Sequence, residues 1–388
     1  MPLIIEVKGA NFINKGGELM LLATIQQLDE SGIDYALVIE PSANASFNSI
    51  RTVNAYLKLP FRLKGVDINF ATYLLPKSLR AYLQSNFGIF MEPDVDAIFD
   101  ISGFAYGDQW PSRGLYYLSK EISRFAKRRK KVFILPQALG PFKKKYDAAL
   151  VKKYFPLASL VFPRDKTSCD HLTALIGTNE KITRRPDFTN LVKPERDQYS
   201  PIELPENCFL IIPNFNMLKD KEGVNPWEPC YVDILIAITN QARLMNFTPV
   251  LLNHEGKRDY QICKRIQEKI GFHIEILQPE SALAIKAAIG AAKGVFSSRF
   301  HGCISALSQG IPCIGTSWSH KYDELYQEYE FSKFLISPDI SKEDIEILFT
   351  SISDPDELLR LSNKSMMMTE QTQLMWKKVF AELERRDD

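Results

Sequence analysis

Short apolar runs alternate with stretches in which apolar residues recur every three or four positions, and this alternation covers most of the chain. The runs read as buried strands and the periodic stretches as helices packed against them. Strands are expected at residues 3–7, 35–39, 97–101, 132–135 and 160–162, with helices at 17–28, 114–126 and 166–175. From Lys193 to Asn207 the periodicity is lost, and Pro194, Pro201 and Pro205 stand among polar residues, as in a linker. The alternation then resumes. Strands are expected at 209–212, 248–252, 274–277, 294–297 and 313–315, and helices at 231–244, 258–270, 282–292 and 301–309. A long polar helical stretch covers 356–384. Strands alternating with helices imply parallel sheets covered on both faces. The expected organisation is therefore an α/β domain at residues 1–195, a second at 206–355, and a C-terminal helix at 356–388.

Length and composition agree with that picture. A chain of 388 residues can bury two cores, and 45% hydrophobic against 24% charged residues excludes a disordered chain. The formal net charge of +1 gives no overall field to attract nucleic acid, so any anion site must be local. Cys169, Cys208, Cys230, Cys263, Cys303 and Cys313 make no C-x-x-C pair and read as reduced, mostly buried thiols. Neither a metal nor a cofactor is expected. The N-terminus lacks the basic start and long apolar run of an export signal, and no stretch approaches transmembrane length, so a cytoplasmic protein is expected.

Ligands in such folds bind beyond the carboxyl ends of the strands, and six segments lie there. Gly9 to Glu18 follows the first strand; its Asn14, Gly16 and Gly17 suit either a tight turn or an anion site at a helix start. Asp96 to Asp108 ends a buried strand in small residues, and Asp108 is read as a helix cap or as a group orienting a hydroxyl. Leu135 to Pro141 leaves Gln137 near a strand end, as turn chemistry or as an amide for a ligand. In Pro163-Arg164-Asp165 the aspartate reads as an N-cap, and Arg164 as a fork for phosphate or carboxylate. The richest segment runs from Val295 to Gly315. A strand stops at Ser297 and Ser298, Ser298 is placed to cap, and Arg299 and His301 fall at the start of a helix that ends at Gly310. Two cationic or titratable groups at the positive end of a helix dipole break a local rule without visible gain, which points to an anionic ligand. The sixth segment, Thr316 to Tyr322, offers Lys321 for the same anion and Trp318 and Tyr322 for a sugar face, or else a packed aromatic loop. The run Lys127, Arg128, Arg129, Lys130 and Lys131 reads as a helix end complementing its dipole, or as contact with a membrane surface or a lipid-diphosphate acceptor.

Taken in order, these residues resemble the polysaccharide pyruvyl transferases. The resemblance rests on Asn14-Lys-Gly16-Gly17-Glu18, Asp100-Ile-Ser-Gly103, Pro136-Gln137-Ala-Leu-Gly140-Pro141, Arg164-Asp165 and Pro186-Asp187. Above all it rests on Ser298-Arg299-Phe300-His301 with Gly310-Ile-Pro312, and Lys321 falls where the family tends to keep a lysine. It implies two Rossmann-like domains facing a central cleft, GT-B-like, with phosphoenolpyruvate as donor co-substrate and a sugar hydroxyl as acceptor. Arg164, Arg299 and Lys321, with Ser298, Asn14 and Gln137, would then bind substrates. His301 would be the acid, since histidine exchanges protons near neutrality, and Asp108 or Glu18 would take the hydroxyl proton. The acceptor is expected to be a lipid-diphosphate-linked sugar, a nucleotide sugar or a polymer. Gly17 and the segment Ser102-Gly103-Phe104 depart from the family pattern, which has an aspartate and a glycine triplet there, and both changes lie on the expected acceptor side. A GT-B glycosyltransferase using a nucleotide sugar, with Asp323 or Glu324 on the ribose, and a non-catalytic sugar- or anion-binding homologue are the competing readings.

Overall fold

The computed structural model describes residues 2–195, 199–219, 225–316 and 319–385. Its strands, in chain order, are β1 (Leu3–Lys8), β2 (Tyr35–Ile39), β3 (Tyr56–Lys58), β4 (Arg62–Leu63), β5 (Val66–Asp67), β6 (Ile89–Phe90), β7 (Ala97–Asp100), β8 (Lys131–Gln137), β9 (Leu160–Pro163), β10 (Cys208–Ile212), β11 (Thr248–Leu252), β12 (Ile276–Leu277), β13 (Gly294–Ser297), β14 (Cys313–Thr316) and β15 (Leu335–Ile336). The helices are α1 (Lys15–Ser31), α2 (Phe47–Thr52), α3 (Lys77–Phe87), α4 (Ser112–Ala126), α5 (Lys145–Tyr154), α6 (Lys166–Ile176), α7 (Tyr231–Leu244), α8 (Gly256–Lys269), α9 (Ala282–Ala291), α10 (Phe300–Leu307), α11 (His320–Glu328), α12 (Lys342–Ile352) and α13 (Pro355–Glu384). Two compact units result, one of Met1–Phe188 with Gln371–Asp388 and one of Thr189–Glu370, so α13 contributes to both.

The first unit holds a seven-stranded sheet in the order β6-β3-β2-β1-β7-β8-β9, and all its pairings are parallel. All seven residues of β8 are buried, as a central parallel strand covered on both faces requires. The C-terminal end of α13 closes the core: Trp376 packs edge-on against Phe188 and stacks on Phe380. The second unit holds a six-stranded parallel sheet in the order β12-β11-β10-β13-β14-β15. In each sheet the chain winds one way from its first strand and then returns to wind the other way. The reversal falls between β1 and β7 in the first unit and between β10 and β13 in the second, and a crevice opens at the carboxyl ends of such neighbours.

The expected strands are all present. Residues 40–95, for which the sequence pattern predicts no element, hold β3 to β6, with β4–β5 an antiparallel pair, α2 and α3. Strands of two or three residues are too short for period-two alternation to show. Among the described residues the six cysteines are free thiols, four of them buried. No helix of the described residues is long and apolar enough to cross a membrane.

Candidate active site

In the second unit the reversal point is occupied by the Ser297 to His301 segment. β13 ends at Ser297, and α10 begins at Phe300 with Arg299 in the N-cap position, extended and without a side-chain cap. The expected cap by Ser298 is replaced by an inward turn. Its buried Oγ accepts from the Tyr231 hydroxyl (2.8 Å) and from Thr316 Oγ1 (2.7 Å). Its carbonyl accepts from Asn214 Nδ2 (2.8 Å) and the Tyr322 hydroxyl (2.9 Å). Asn214 follows β10, Thr316 ends β14 and Tyr322 lies in α11, so Ser298 ties three strand ends together. Burial pushes the Tyr231 phenol up, so it stays a neutral donor. Ser297 Oγ accepts from the Arg299 N–H (3.1 Å) and donates to its carbonyl (3.0 Å), fixing the backbone on which the guanidinium stands. Gly302 permits this, because a Cβ there would lie 2.4 Å from Ser297 Oγ.

The guanidinium of Arg299 is itself held. Nε donates to Asp259 Oδ2 at 2.8 Å, and Nη1 to Glu255 Oε2 at 2.7 Å. Asp259, in the first turn of α8, is fully buried, and its other oxygen accepts the Phe215 N–H at 2.9 Å. Burial raises the Asp259 pKa, and the adjacent Arg299 charge opposes that rise. The missing anion of the sequence argument is thus supplied in part by the protein: the rule broken at the helix start is mended by two carboxylates of β11–α8. Sequence reading missed Glu255 and Asp259 because their connection to Arg299 is tertiary; only their position after a strand end signalled them. Phe300 gathers the remaining groups. Its ring meets His301 edge-on at 5.5 Å and Tyr322 at 5.4 Å, and Lys321 Nζ lies over it at 4.8 Å. Arg299, His301, Lys321 and Ser298 are therefore brought together at one helix N-terminus; Trp318 lies outside the described residues.

The other expected site residues lie in the first unit. Asn14 caps α1, accepting the Gly17 N–H at 3.0 Å, and Glu18 pairs with Lys15 at 2.7 Å. Gly9, at φ 81°, lets this loop meet the end of β7, where a Cβ would strike Ser102. Asp165 caps α6 through the Ser168 N–H at 2.7 Å, as expected. Arg164 is buried and donates to buried Asp187 at 3.0 Å. Gln137 is fully buried, and its Nε2 approaches the Asp100 carbonyl at 3.5 Å. Asp108 does not cap the helix that follows it. It accepts the N–H groups of Lys143 (2.9 Å) and Lys144 (3.1 Å) before α5. Desolvation would raise its pKa, but those amides and the two lysine charges prevail and hold it below its ordinary value.

Sequence reading also missed a buried charge cluster at the end of β1. Lys58 Nζ lies 2.5 Å from Glu6 and 3.0 Å from Glu121, and Lys8 Nζ lies 2.9 Å from Glu121. Beside it the buried Asp100 accepts from Ser102 Oγ (2.6 Å) and the Tyr106 hydroxyl (2.7 Å), with its pKa raised by burial. Further along the β7–α4 loop, Phe104, Trp110, Arg113 and Tyr117 line an open cavity of about 660 Å³. The basic run at the end of α4 is largely folded back. Arg128 lies over Tyr73 at 3.6 Å, Lys130 donates to the Pro93 carbonyl at 2.8 Å, and Lys131 pairs with Glu382 at 3.0 Å. Among the described residues no cluster of three or more His, Cys, Asp or Glu is placed to hold a metal.

Comparison with known proteins follows the same outline. The family model described as polysaccharide pyruvyl transferase matches residues 14–320. No curated protein sequence matches the chain. Among solved structures, UDP-GlcNAc 2-epimerase from Neisseria meningitidis is similar with a TM-score of 0.59 at 12% identity, over 98% of this chain and 100% of that one. The UDP-GlcNAc 2-epimerase of Methanocaldococcus jannaschii gives 0.58 at 13% identity, over 92% and 94%. UGT73P12 of Glycyrrhiza uralensis gives 0.53 at 12% identity, over 99% and 96%. At such identity the likeness concerns the fold, which is of the GT-B type.

Proposed function

The chain belongs to the polysaccharide pyruvyl transferase family, and from that premise we propose that it moves a pyruvyl group from phosphoenolpyruvate to two hydroxyls of a sugar. The product would be a cyclic ketal in an exopolysaccharide, capsule or cell-wall glycan. The observation that carries the reading is the grouping of Arg299, His301 and Lys321 at the N-terminus of α10. Phosphoenolpyruvate bears a phosphate and a carboxylate on three carbons, so its site needs several cations and free helix amides. Glu255 keeps a quarter of its side chain exposed and is the carboxylate a donor anion would displace, while buried Asp259 keeps the guanidinium in place.

In the reaction, His301 gives a proton to the methylene carbon, which becomes the methyl group. The neighbouring carbon becomes oxocarbenium-like, and a sugar hydroxyl attacks it and loses its proton. The second hydroxyl forms the other C–O bond and passes its proton to the departing phosphate as the bond between the carbon and the phosphate oxygen breaks. Of the two carboxylates expected to accept a hydroxyl proton, Asp108 is engaged by the Lys143 and Lys144 amides, which hold its pKa below its ordinary value. We assign that step to Glu18. The aromatic lining of the Trp110 cavity suits an apolar sugar face, and is assigned to the acceptor.

Ligand-induced thermal stabilisation tests the donor. Phosphoenolpyruvate at a hundred times its Kd stabilises by about 2.7 kcal/mol. It is expected to raise the melting temperature of the wild type and to lose most of that effect in Lys321→Gln. Stabilisation by a nucleotide sugar alone, with no release of phosphate from phosphoenolpyruvate over an acceptor panel, would overturn the reading in favour of glycosyl transfer.

A further inference from the structure

Residues 61–74 are folded inside out. They form the β4–β5 hairpin and a following 3-10 helix, Asn69–Leu74. Three of their polar side chains, Asp67, Asn69 and Thr72, are buried and face the protein. Asn69 accepts the Phe61 N–H at 3.0 Å and donates to Asp67 at 2.8 Å, and Asp67 takes Arg124 at 2.8 Å. Their large apolar side chains point the other way: Leu63 is 62% exposed, Val66 54%, Phe70 58% and Leu74 83%. Leu63 and Val66 are cross-strand partners at the hairpin tip and so share a face. Next in the chain, α3 buries none of its residues and leaves Leu79, Tyr82 and Phe87 exposed. A hairpin anchored this firmly has no need of outward leucines for its own stability, and so many large apolar side chains exposed along one excursion of the chain mark an interaction surface.

We propose that this excursion is a docking surface for an anionic lipid bilayer. Charge decides the occupant. Lys64 sits at the hairpin tip between the two exposed apolar partners, and Lys77 follows Leu74; both are exposed. Asp67 is the single acid between residues 61 and 87, and it is spent on Arg124. Apolar side chains interleaved with lysines dip into the acyl boundary while the ammonium groups meet lipid phosphates. A second copy on a two-fold axis would set those lysines against their own equivalents, a like-charge contact. The surface also adjoins the Trp110 cavity: Gly65 at the tip accepts from the Tyr117 hydroxyl at 3.1 Å, and Arg62 lies over the Tyr117 ring at 4.3 Å. The membrane contact expected from the basic run at 127–131 is thereby moved to another part of the same unit.

The test is flotation of the full chain with vesicles of phosphatidylcholine containing about a third phosphatidylglycerol, and with pure phosphatidylcholine. It uses no turnover, so its outcome is separate from that of the pyruvyl-transfer reading. Binding to the anionic vesicles, weakened by salt, is expected. Leu63→Ser with Leu74→Ser should lower the partition at least about tenfold, and Lys64→Gln about fivefold. Lys127→Gln with Arg129→Gln should leave it unchanged. All these positions are exposed, so melting temperatures stay near the wild type. Three results would overturn the proposal: no flotation of the wild type with either vesicle, unaltered flotation of the hairpin variants, or a dimer that the leucine variant turns into a monomer in light scattering.

Discussion

Replacing Arg299 by methionine keeps the length of the side chain and removes its charge and donors. Asp259 then remains fully buried with the Phe215 N–H as its hydrogen bond, while Glu255, a quarter exposed, turns to water at little cost. Removing one partner of a buried ion pair costs about 3–5 kcal/mol, because the other charge is left uncompensated. The cost must depend on pH. Burial already raises the Asp259 pKa above 3.8, and Arg299 is the largest influence pulling it down, so the substitution raises it further. A carboxyl whose folded pKa exceeds its unfolded one contributes stability that is fully present below the unfolded value. That contribution is lost as pH rises through the folded value. Arg299→Met should therefore be most destabilising at pH 7–8 and recover steadily on acidification towards pH 5, as Asp259 takes up a proton. Adding Asp259→Asn, whose side-chain oxygen can still accept the Phe215 N–H, should restore most of the loss at neutral pH. Urea unfolding followed by circular dichroism, for the two singles and the double at several pH values, measures the coupling directly. A penalty equal at pH 5 and pH 8, or a double variant less stable than Arg299→Met alone, would refute the reasoning.

Other expectations follow from the same contacts. His301→Asn should lower kcat by about a hundredfold to ten-thousandfold while phosphoenolpyruvate still stabilises the protein; unchanged kcat removes His301 from the proton transfer. Gly302→Ala gains about 1 kcal/mol of helix propensity but drives its Cβ into Ser297 Oγ; a net loss in urea midpoint and a raised KM for the donor are expected, since Ser297 fixes the Arg299 backbone. Burial would raise the Glu121 pKa, but Lys58 and Lys8 pull it down from 4.5 to about 2, so its contribution is present above the former value and lost as pH falls through the latter. Glu121→Gln should accordingly cost about 3–5 kcal/mol at neutral pH, and its gap from the wild type should narrow below pH 4.5 in unfolding titrations. Asn14→Ala removes the α1 cap and should cost about 1 kcal/mol in the same assay.

Much of this fold is legible because the long parallel strands are buried on both faces and the helices between them are amphipathic. β13 and α10 announce themselves as an apolar run stopping at two serines, followed by an eight-residue helix. The hairpin and short strands of residues 56–90 are invisible for the converse reason: the strands are two or three residues long and Leu63, Val66, Phe70 and Leu74 point outward, so the binary pattern carries no message about a core. At the candidate site the sequence places Arg299 and His301 at the start of one helix and Lys321 at the same sheet edge; in the structure the first two stand at the start of α10 and Lys321, from α11, lies over Phe300. It misjudged how Ser298 and Arg299 are used. Capping and counter-charge depend on which side chains of neighbouring elements arrive at the same point, and Asp259 and Tyr231 come from helices that the local sequence of β13 does not mention.

The arrangement around Arg299 explains how one guanidinium can serve both fold and ligand. A cation at a helix N-terminus is unfavourable in isolation. Asp259, in its buried position, cancels that cost permanently and aligns the fork; it cannot be traded away without the penalty worked out above. Glu255 is bound to the opposite side of the same fork and remains within reach of water. Exchanging Glu255 for a substrate carboxylate or phosphate swaps one charge-assisted bond for another, so the net gain is small at that contact. Affinity for a donor must then come mainly from Lys321 and the amides of α10, with Arg299 setting orientation. On that division of labour Glu255→Gln should tighten donor binding, because the resident competitor becomes neutral, whereas Lys321→Gln should weaken it. Isothermal titration of phosphoenolpyruvate into the two variants distinguishes them, and a weaker Kd in Glu255→Gln would show that the glutamate holds the fork for the ligand and does not compete with it.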